Sequence, residues 1–371
     1  MNYEKYLETF TSQAAYSGIK KKYKVILENM DQGVYIWGTK RLGKFVEKQC
    51  KKNGIKIKGF IDNRMENSAD NNIFLPSVVK KDDIIIIASI SYWEIEQQIK
   101  SSELTENYLY YEILAKADER FEIYYAGFDG LFEDIERNKR KYIDILSVCE
   151  DNASYEVLGN VLMYRMTLDD SYIEKAYNLS ILSGEQDFDK LIIDKLDNSS
   201  TFYDVGGYDG TTTRKYLELF PKARKIYFFE PDKKEMRVAR ERLKKYKQIE
   251  FINAVVGEKR ENCYLKAIGD GASMVSDEKD YDYKSAQIVL DDYIQDGNSY
   301  IKMDIEGYEV KALLGMKKAI KEWSPILGIS LYHIPGDIYK IPGVIVGYNK
   351  KYKLYVRHYT LSYADTVGYF I

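Results

Sequence analysis

Carboxylates recur in this sequence where apolar runs stop. The run FYDV at 202–205 gives way to Gly206, Gly207, Tyr208, Asp209 and Gly210, and then to three threonines at 211–213. A second run, IYFF at 226–229, stops at Glu230, Pro231 and Asp232, and a third, YIKM at 300–303, stops at Asp304 and Glu306. Short apolar runs bounded by glycine and acid read as buried strands of a parallel sheet. A glycine turn after the first strand and an acid closing the second is the pattern that accepts the two hydroxyls of an adenosine ribose. Three such ends together define a nucleotide-type crevice at one edge of the sheet.

The turn also indicates which nucleotide to expect. A pyrophosphate fingerprint spaces three glycines as G-x-G-x-x-G and aims backbone N–H groups at anionic oxygens. Here Gly206, Gly207 and Gly210 share the turn with Asp204 and Asp209, carboxylates that repel phosphate and suit a cationic ligand. S-adenosylmethionine, with its amino group and sulfonium, is such a ligand.

From about residue 200 to the carboxyl end the chain resembles the FkbM family of S-adenosylmethionine-dependent methyltransferases. The pieces, in family order, are FYDVGGYDGTTT, IYFFEPDKKEM, NAVVG at 253–257, GASM at 271–274, VLDDYI at 289–294 and IKMDIEGYEVKALLGMKKAI at 301–320. The resemblance implies an α/β fold, a seven-stranded class I methyltransferase domain acting on a hydroxyl of a sugar or similar small polar metabolite. One departure lies in the first loop, where many members carry Ala-Asn and this chain has Gly207-Tyr208-Asp209.

That frame assigns roles. Asp204, Gly206, Gly207, Tyr208, Asp209, Glu230, Pro231 and Asp232 are expected at the cofactor. Asn253 and Ala254, ending the third strand, lie where adenine contacts arise in this class. Methyl transfer from a sulfonium needs no protonation of the leaving group, so alignment supplies most of the catalysis, but a hydroxyl acceptor must still lose its proton. Asp304, at the end of the fourth strand, is the first choice for a cofactor or acceptor contact. Glu306 is either a second such carboxylate or a brace for the turn before Gly307. His333, after the run ILGISLYH, borders the same crevice with a near-neutral ordinary pKa, and is read either as a base or as a structural ring. His358 is a weaker candidate. Asp291 and Asp292 with Asp304 invite a Mg²⁺ reading, but in the resembling family VLDDYI is a strand-to-helix junction where Asp caps a helix, so no metal is expected.

The elements that position these residues are strands at 201–205, 226–230, 249–253, 299–304 and 326–331, with a closing hairpin near 352–359 and 365–371. A threonine hydroxyl after Gly210 is expected to cap the following helix. Upstream, 1–30 reads as one helix, followed by strands at 34–38, 55–63 and 83–89 around an amphipathic helix at 39–54. This is a smaller Rossmann-like domain within 1–115. Gly38 and Gly43 give G-x-x-x-x-G without the Lys-Ser/Thr of a P-loop, and Asp62 stands in the ribose-acid position. The domain binds a nucleotide or phosphate handle of the substrate, or serves as a docking or homodimerisation module. Residues 116–195 contain no proline and carry helical periodicity, which predicts a helical connector before a methyltransferase domain at 196–371. The resemblance makes Tyr164, Arg165 and Tyr172 on these helices candidate substrate-side residues, against their reading as ordinary core or surface positions.

Composition narrows the classes. With 55 basic and 58 acidic residues interspersed along 371, no field favours nucleic acid. Three well-separated cysteines fit reduced thiols in the cytosol rather than a disulfide frame. No apolar run approaches the roughly 20 residues of a membrane span, and the start, MNYEKYLETFTSQ, lacks a basic-then-apolar leader, so a cytoplasmic protein without membrane insertion is expected. The expected partner is a sugar-like small molecule, a precursor of surface polysaccharide. Two readings compete with an O-methyltransferase: an NAD-dependent sugar oxidoreductase or epimerase working through the amino-terminal half, and a non-catalytic adenosyl-binding scaffold.

Overall fold

The computed structural model describes residues 1–63, 72–268, 271–275 and 281–371, the side chains of 266–275 excepted. It divides into two compact units, one formed by Asn2–Lys139 with Leu162–Ile173, the other by Arg140–Val161 with Glu174–Ile371 and Met1.

In the first unit, β1 (Val34–Trp37), β2 (Ile57–Ile61), β3 (Ile73–Phe74), β4 (Ile84–Ile87) and β5 (Tyr108–Tyr110) form a parallel sheet in the order β3-β2-β1-β4-β5. The four isoleucines of β4 are all buried, as a central parallel strand requires. Edge strands β3 and β5 are two and three residues long, too short to leave a pattern in the sequence. The expected single helix over 1–30 is instead three, Tyr3–Thr9, Ser12–Lys22 and Lys24–Asn29. The first break falls where Thr11, in extended conformation, caps the second helix by accepting from the Ala14 N–H. Gly38 and Gly43 have a packing explanation: a Cβ on Gly43 would come within 1.9 Å of the Gly38 carbonyl oxygen. Tyr164 is fully buried in this unit, its hydroxyl 3.3 Å from that of Tyr92.

In the second unit, a short hairpin of β6 (Gly184–Glu185) and β7 (Phe188–Asp189) precedes β8 (Thr201–Val205), β9 (Lys225–Phe229) and β10 (Ile249–Ile252). Next come β11 (Val255–Val256), β12 (Glu261–Ile268), β13 (Gly271–Val275), β14 (Tyr283–Ile288), β15 (Ser299–Met303), β16 (Ile326–Ser330), β17 (Leu354–His358) and β18 (Thr366–Phe370). The main sheet runs β10-β9-β8-β15-β16-β18-β17, parallel except for β18, which inserts antiparallel between β16 and β17. This is the expected seven-stranded class I arrangement, every strand within one or two residues of its expected place. β8 and β15 at its centre are buried at every position. Phe202 stacks on Tyr216 and Tyr300, and Phe228 packs in the same core. Full burial of each phenylalanine contributes about 1.5–3 kcal/mol.

A second sheet, β11-β14-β12-β13, was not anticipated. Its strand β14 (YKSAQI) is largely polar and half exposed, so no apolar run marks it. The GASM segment lies in β13.

Candidate active site

The parallel strands β9, β8 and β15 lie side by side and end together, which brings Glu230, the Gly206–Gly210 turn and Asp304 to one edge. Gly206 has φ +77°, and a Cβ there would lie 1.9 Å from the Asp304 carbonyl oxygen. Gly207 packs against the Phe228 ring, which a Cβ would approach to 2.2 Å. Only glycine lets the turn fold this tightly against both neighbouring strands. Tyr208 is also left-handed, with φ +51°, an uncommon state for a residue with a Cβ. Its N–H donates to Glu230 Oε2 at 2.9 Å, and the Asp232 N–H donates to Glu230 Oε1 at 2.8 Å. Each carboxylate oxygen keeps a lone pair for a further donor. Burial pushes the Glu230 carboxyl up to about 7, backbone donors pulling the other way.

The remaining expected cofactor residues divide. Asn253 donates to the Glu230 and Pro231 carbonyls at 2.8 and 3.0 Å, tying the second and third strand ends together, and Ala254 is buried beside it. Asp232 caps the helix Lys233–Leu243 through Oδ1 and takes the Tyr283 hydroxyl on Oδ2 at 3.3 Å. Two carboxylates do not stand where the charge argument put them. Asp204 is wholly buried beneath the turn, accepting from Thr213 Oγ1 at 2.6 Å and lying 3.4 Å from Lys302 Nζ. Asp209 caps the helix Thr211–Leu219 by accepting from the Thr211 N–H at 3.0 Å, and it pairs with Arg242 at 2.6 Å. The N-cap position is Gly210, which offers no side chain, so Asp209 and not a threonine meets the helix's first N–H. Both acids are engaged with the protein's own donors, because an alternating strand residue and a turn residue follow the backbone, not the crevice.

Sequence reasoning missed Lys302. Its ammonium is buried under the turn and donates to the Gly206 carbonyl at 2.7 Å. Burial alone would lower its pKa, but Asp204, Asp304 and Asp187 outweigh it and the pKa is raised. The signal was present as the lone charge inside the apolar strand YIKM.

At the end of β15 three of the candidate residues stand together. His333, buried beyond β16, has Nε2 at 3.2 Å from Asp304 Oδ1 and 3.7 Å from Glu306 Oε2. Its Nδ1 lies 3.0 Å from Glu309 Oε1, which also accepts from the Ile305 N–H. Glu309, fully buried, is a second residue that sequence reasoning missed. Burial would lower the His333 pKa, but Glu309 and Asp304 outweigh it and hold the ring's pKa well above the usual. Asp304 is held well below the carboxylate range, its burial outweighed by His333 and Lys302. Glu306 is left-handed (φ +58°), its side chain 62% exposed, and its pKa is raised by desolvation. Around them stand Asp365 and Asp187, pushed by burial up to about 6 and about 7, and Gln186, which donates to Asp365 at 3.2 Å.

The other candidates lie apart. Asp291 caps the helix Lys317–Glu322, accepting from the Lys318 and Ala319 N–H groups at 3.0 and 2.8 Å, and Asp292 pairs with Arg260. His358 is buried on β17 with Nδ1 at 2.9 Å from Thr366 Oγ1.

A glycine-walled turn, a buried ribose-type acid and a carboxylate at the fourth strand end, in a 3-2-1-4-5-7-6 sheet, are joined by one decisive match: residues 204–352 fit the model of the methyltransferase FkbM domain. Residues 204–352 form an FkbM methyltransferase domain. The protein is an S-adenosylmethionine-dependent methyltransferase. A solved methyltransferase FkbM from Methylobacillus flagellatus KT superposes with TM-score 0.74 at 20% identity, covering 97% of this chain and 98% of its own, so the likeness in fold extends beyond the FkbM domain. A putative rRNA methylase from Clostridium thermocellum aligns with TM-score 0.35 at 11% identity, over 48% of this chain and 89% of its own. An rRNA methylase from Streptococcus thermophilus gives TM-score 0.33 at 14% identity, over 48% and 89%. No curated protein matches the chain significantly. The turn and Glu230 of the FkbM domain fit the cofactor: the glycines leave the space a Cβ would fill, and Glu230 retains acceptor capacity for a ribose diol.

Proposed function

We propose that this protein methylates a hydroxyl oxygen of a small polar acceptor, a sugar, sugar nucleotide or related precursor of surface polysaccharide. The observation that carries the reading is the grouping of Asp304, Glu306 and His333 at the end of β15, beside the turn that receives the cofactor. S-adenosylmethionine, when bound, supplies an electrophilic methyl group on a sulfonium. Glu230 holds the ribose hydroxyls, and Gly206, Gly207 and Tyr208 shape the turn beside them. Asn253, Ala254 and Asp232 border the adenine.

Asp304 sits next to the turn, where its carboxylate accepts the hydrogen bond that orients the acceptor hydroxyl. Positioning in this way supplies most of the rate, since the leaving group departs without a proton. The surrounding groups, Gln186, Asp365 and Tyr332, offer hydrogen-bond donors and acceptors suited to a polyhydroxylated ligand. No Asn/Asp-Pro-Pro-Tyr/Phe sequence occurs, a signature of exocyclic amine methylation, which favours oxygen over a nucleobase nitrogen. Buried Cys50 and Cys263 and half-buried Cys149, all unbridged, fit a reducing compartment.

Calorimetric titration with S-adenosylhomocysteine, using NAD as control and a Glu230→Ala variant alongside, tests the cofactor half. Micromolar binding lost in the variant is expected. A radiolabelled-methyl screen of sugars and sugar nucleotides tests the acceptor half. Transfer confined to amine acceptors overturns the oxygen assignment.

A further inference from the structure

We propose that His333 Nε2, Asp304 and Glu306 seat one divalent transition-metal ion, that Glu309 holds the far side of the imidazole, and that the acceptor hydroxyl completes the ion's coordination. The part concerning the acceptor rests on the methyl-transfer reading above; the ion site does not.

His333, Asp304 and Glu309 offer donor atoms that all lie within 4.8 Å of one another. The second observation is independent of that clustering. Both ring nitrogens of His333 and Glu309 Oε2 are buried without a hydrogen-bond partner, although His333 is only 8% exposed and Glu309 is 0% exposed. Orphaned buried polar atoms are costly to keep. Here they converge. An imidazolium satisfied by its carboxylates would donate along both N–H directions, yet the contacts at 3.0 and 3.2 Å fall outside hydrogen-bond alignment.

The spacing suits an ion. Two donors about 2.1 Å from a metal, at angles near 90–110°, stand about 3.0–3.4 Å apart. Nε2 and Asp304 Oδ1 are 3.2 Å apart, and the exposed Glu306 carboxylate is 3.7 Å from Nε2. The buried Glu309, 3.0 Å from Nδ1, stands where a carboxylate orients the far nitrogen of a metal-bound histidine, and it would take that nitrogen's N–H once the ring turns Nε2 to the ion. Charge agrees, since three carboxylates surround a ring whose nearby cation is Lys302. One imidazole with carboxylates suits Mn²⁺, Fe²⁺ or Zn²⁺ better than Mg²⁺ or Ca²⁺, which take oxygen ligands. The positions left open face the acceptor.

In the reaction, coordination makes the acceptor hydroxyl more acidic. Its proton passes to the Glu306 carboxylate oxygen that does not hold the ion, and on to solvent. The oxygen then forms its bond to the methyl carbon as the carbon–sulfur bond breaks, that electron pair remaining on sulfur.

The test uses the full chain, freed of metal with a chelator, titrated with Mn²⁺ by calorimetry and by electron paramagnetic resonance. One ion per chain in the micromolar range is expected, with at least about thirty-fold weaker binding in His333→Ala and Asp304→Asn and no change in Asp292→Asn, a remote carboxylate control. Nitrogen hyperfine coupling to bound Mn²⁺ reads the imidazole directly in the unaltered protein, so the result stands even where a variant misfolds. Binding equal in the His333 and Asp292 variants, or Mn²⁺ without nitrogen coupling, overturns the proposal. The same protein is titrated with S-adenosylhomocysteine. Adenosyl binding without metal binding sinks the ion site alone, whereas metal binding without adenosyl binding sinks the methyl-transfer reading and leaves the ion site standing.

Discussion

At the scale of single residues, two buried charges govern the cofactor end of the crevice. Glu230 has a carboxyl raised to about 7 by burial. In the proposed cofactor complex ribose hydroxyls donate to its ionised form, so binding should favour the carboxylate and tighten as pH rises through 7, then level. From pH 8 to pH 6 the ionised fraction falls about tenfold, and the S-adenosylhomocysteine Kd should weaken by about that factor. Glu230→Gln should bind weakly at both pH values with the slope removed; an unchanged slope in that variant assigns the titration elsewhere. Folding runs the opposite way. A carboxyl raised from its usual value contributes most to stability at low pH, and that contribution is lost as pH rises through 7. Lys302 is the second charge. Its ammonium supports the Gly206 carbonyl and lies beside the buried Asp204. Lys302→Met leaves that carboxylate unpaired and should cost about 3–5 kcal/mol. Adding Asp204→Asn should recover a good part of it, which thermal denaturation of the single and double variants measures; additive losses would show the two residues are uncoupled.

At the scale of elements, the glycine turn fixes the distance between β8 and β15. Gly206→Ala places a methyl against the Asp304 backbone carbonyl at a positive φ. The backbone strain alone is about 1–3 kcal/mol, and the strand ends must separate to admit the methyl. The variant should fold with a lowered Tm and bind S-adenosylhomocysteine at least about tenfold more weakly, read by calorimetry; full affinity would mean that the turn tolerates the displacement. The strands themselves were legible because buried parallel strands are unbroken apolar runs, and β8, β9 and β15 give way at once to glycine or acid. Convergence of Asp304 and His333 followed from strand order. The partners of each carboxylate did not follow, because the sequence places a residue at a strand end without fixing which lone pair meets which donor. Asp204 and Asp209 thus turned out to serve Lys302, Thr213, Arg242 and a helix cap, while Glu309 and Lys302 took positions beside His333 and Asp304.

At the scale of the whole molecule, the unit that carries the site is larger than the segment matching the FkbM domain. The match ends at residue 352, yet β18 at Thr366–Phe370 lies between β16 and β17 in the sheet. It begins at 204, yet residues upstream complete the core. The Tyr300 hydroxyl donates to the Asp187 carbonyl at 2.8 Å, and the Val356 and His358 N–H groups donate to Ser154 and Ser180 hydroxyls at 2.9 and 2.8 Å. Arg357, buried on β17, reaches Asp151 at 3.1 Å and Asp189 at 3.6 Å. A chain cut to begin at residue 196 keeps every strand of the main sheet but loses all of these partners, leaving a buried guanidinium unpaired. Loss of one such partner costs about 3–5 kcal/mol, comparable with the 5–15 kcal/mol that separates folded from unfolded domains. The chain beginning at 196 should therefore show no cooperative thermal transition, whereas one beginning at 140, which retains Asp151, Ser154, Ser180, Asp187 and Asp189, should melt cooperatively and bind S-adenosylhomocysteine. Near-ultraviolet circular dichroism of the two chains decides it, and a cooperative transition in the shorter one would show that the seven strands suffice without the upstream helix and hairpin.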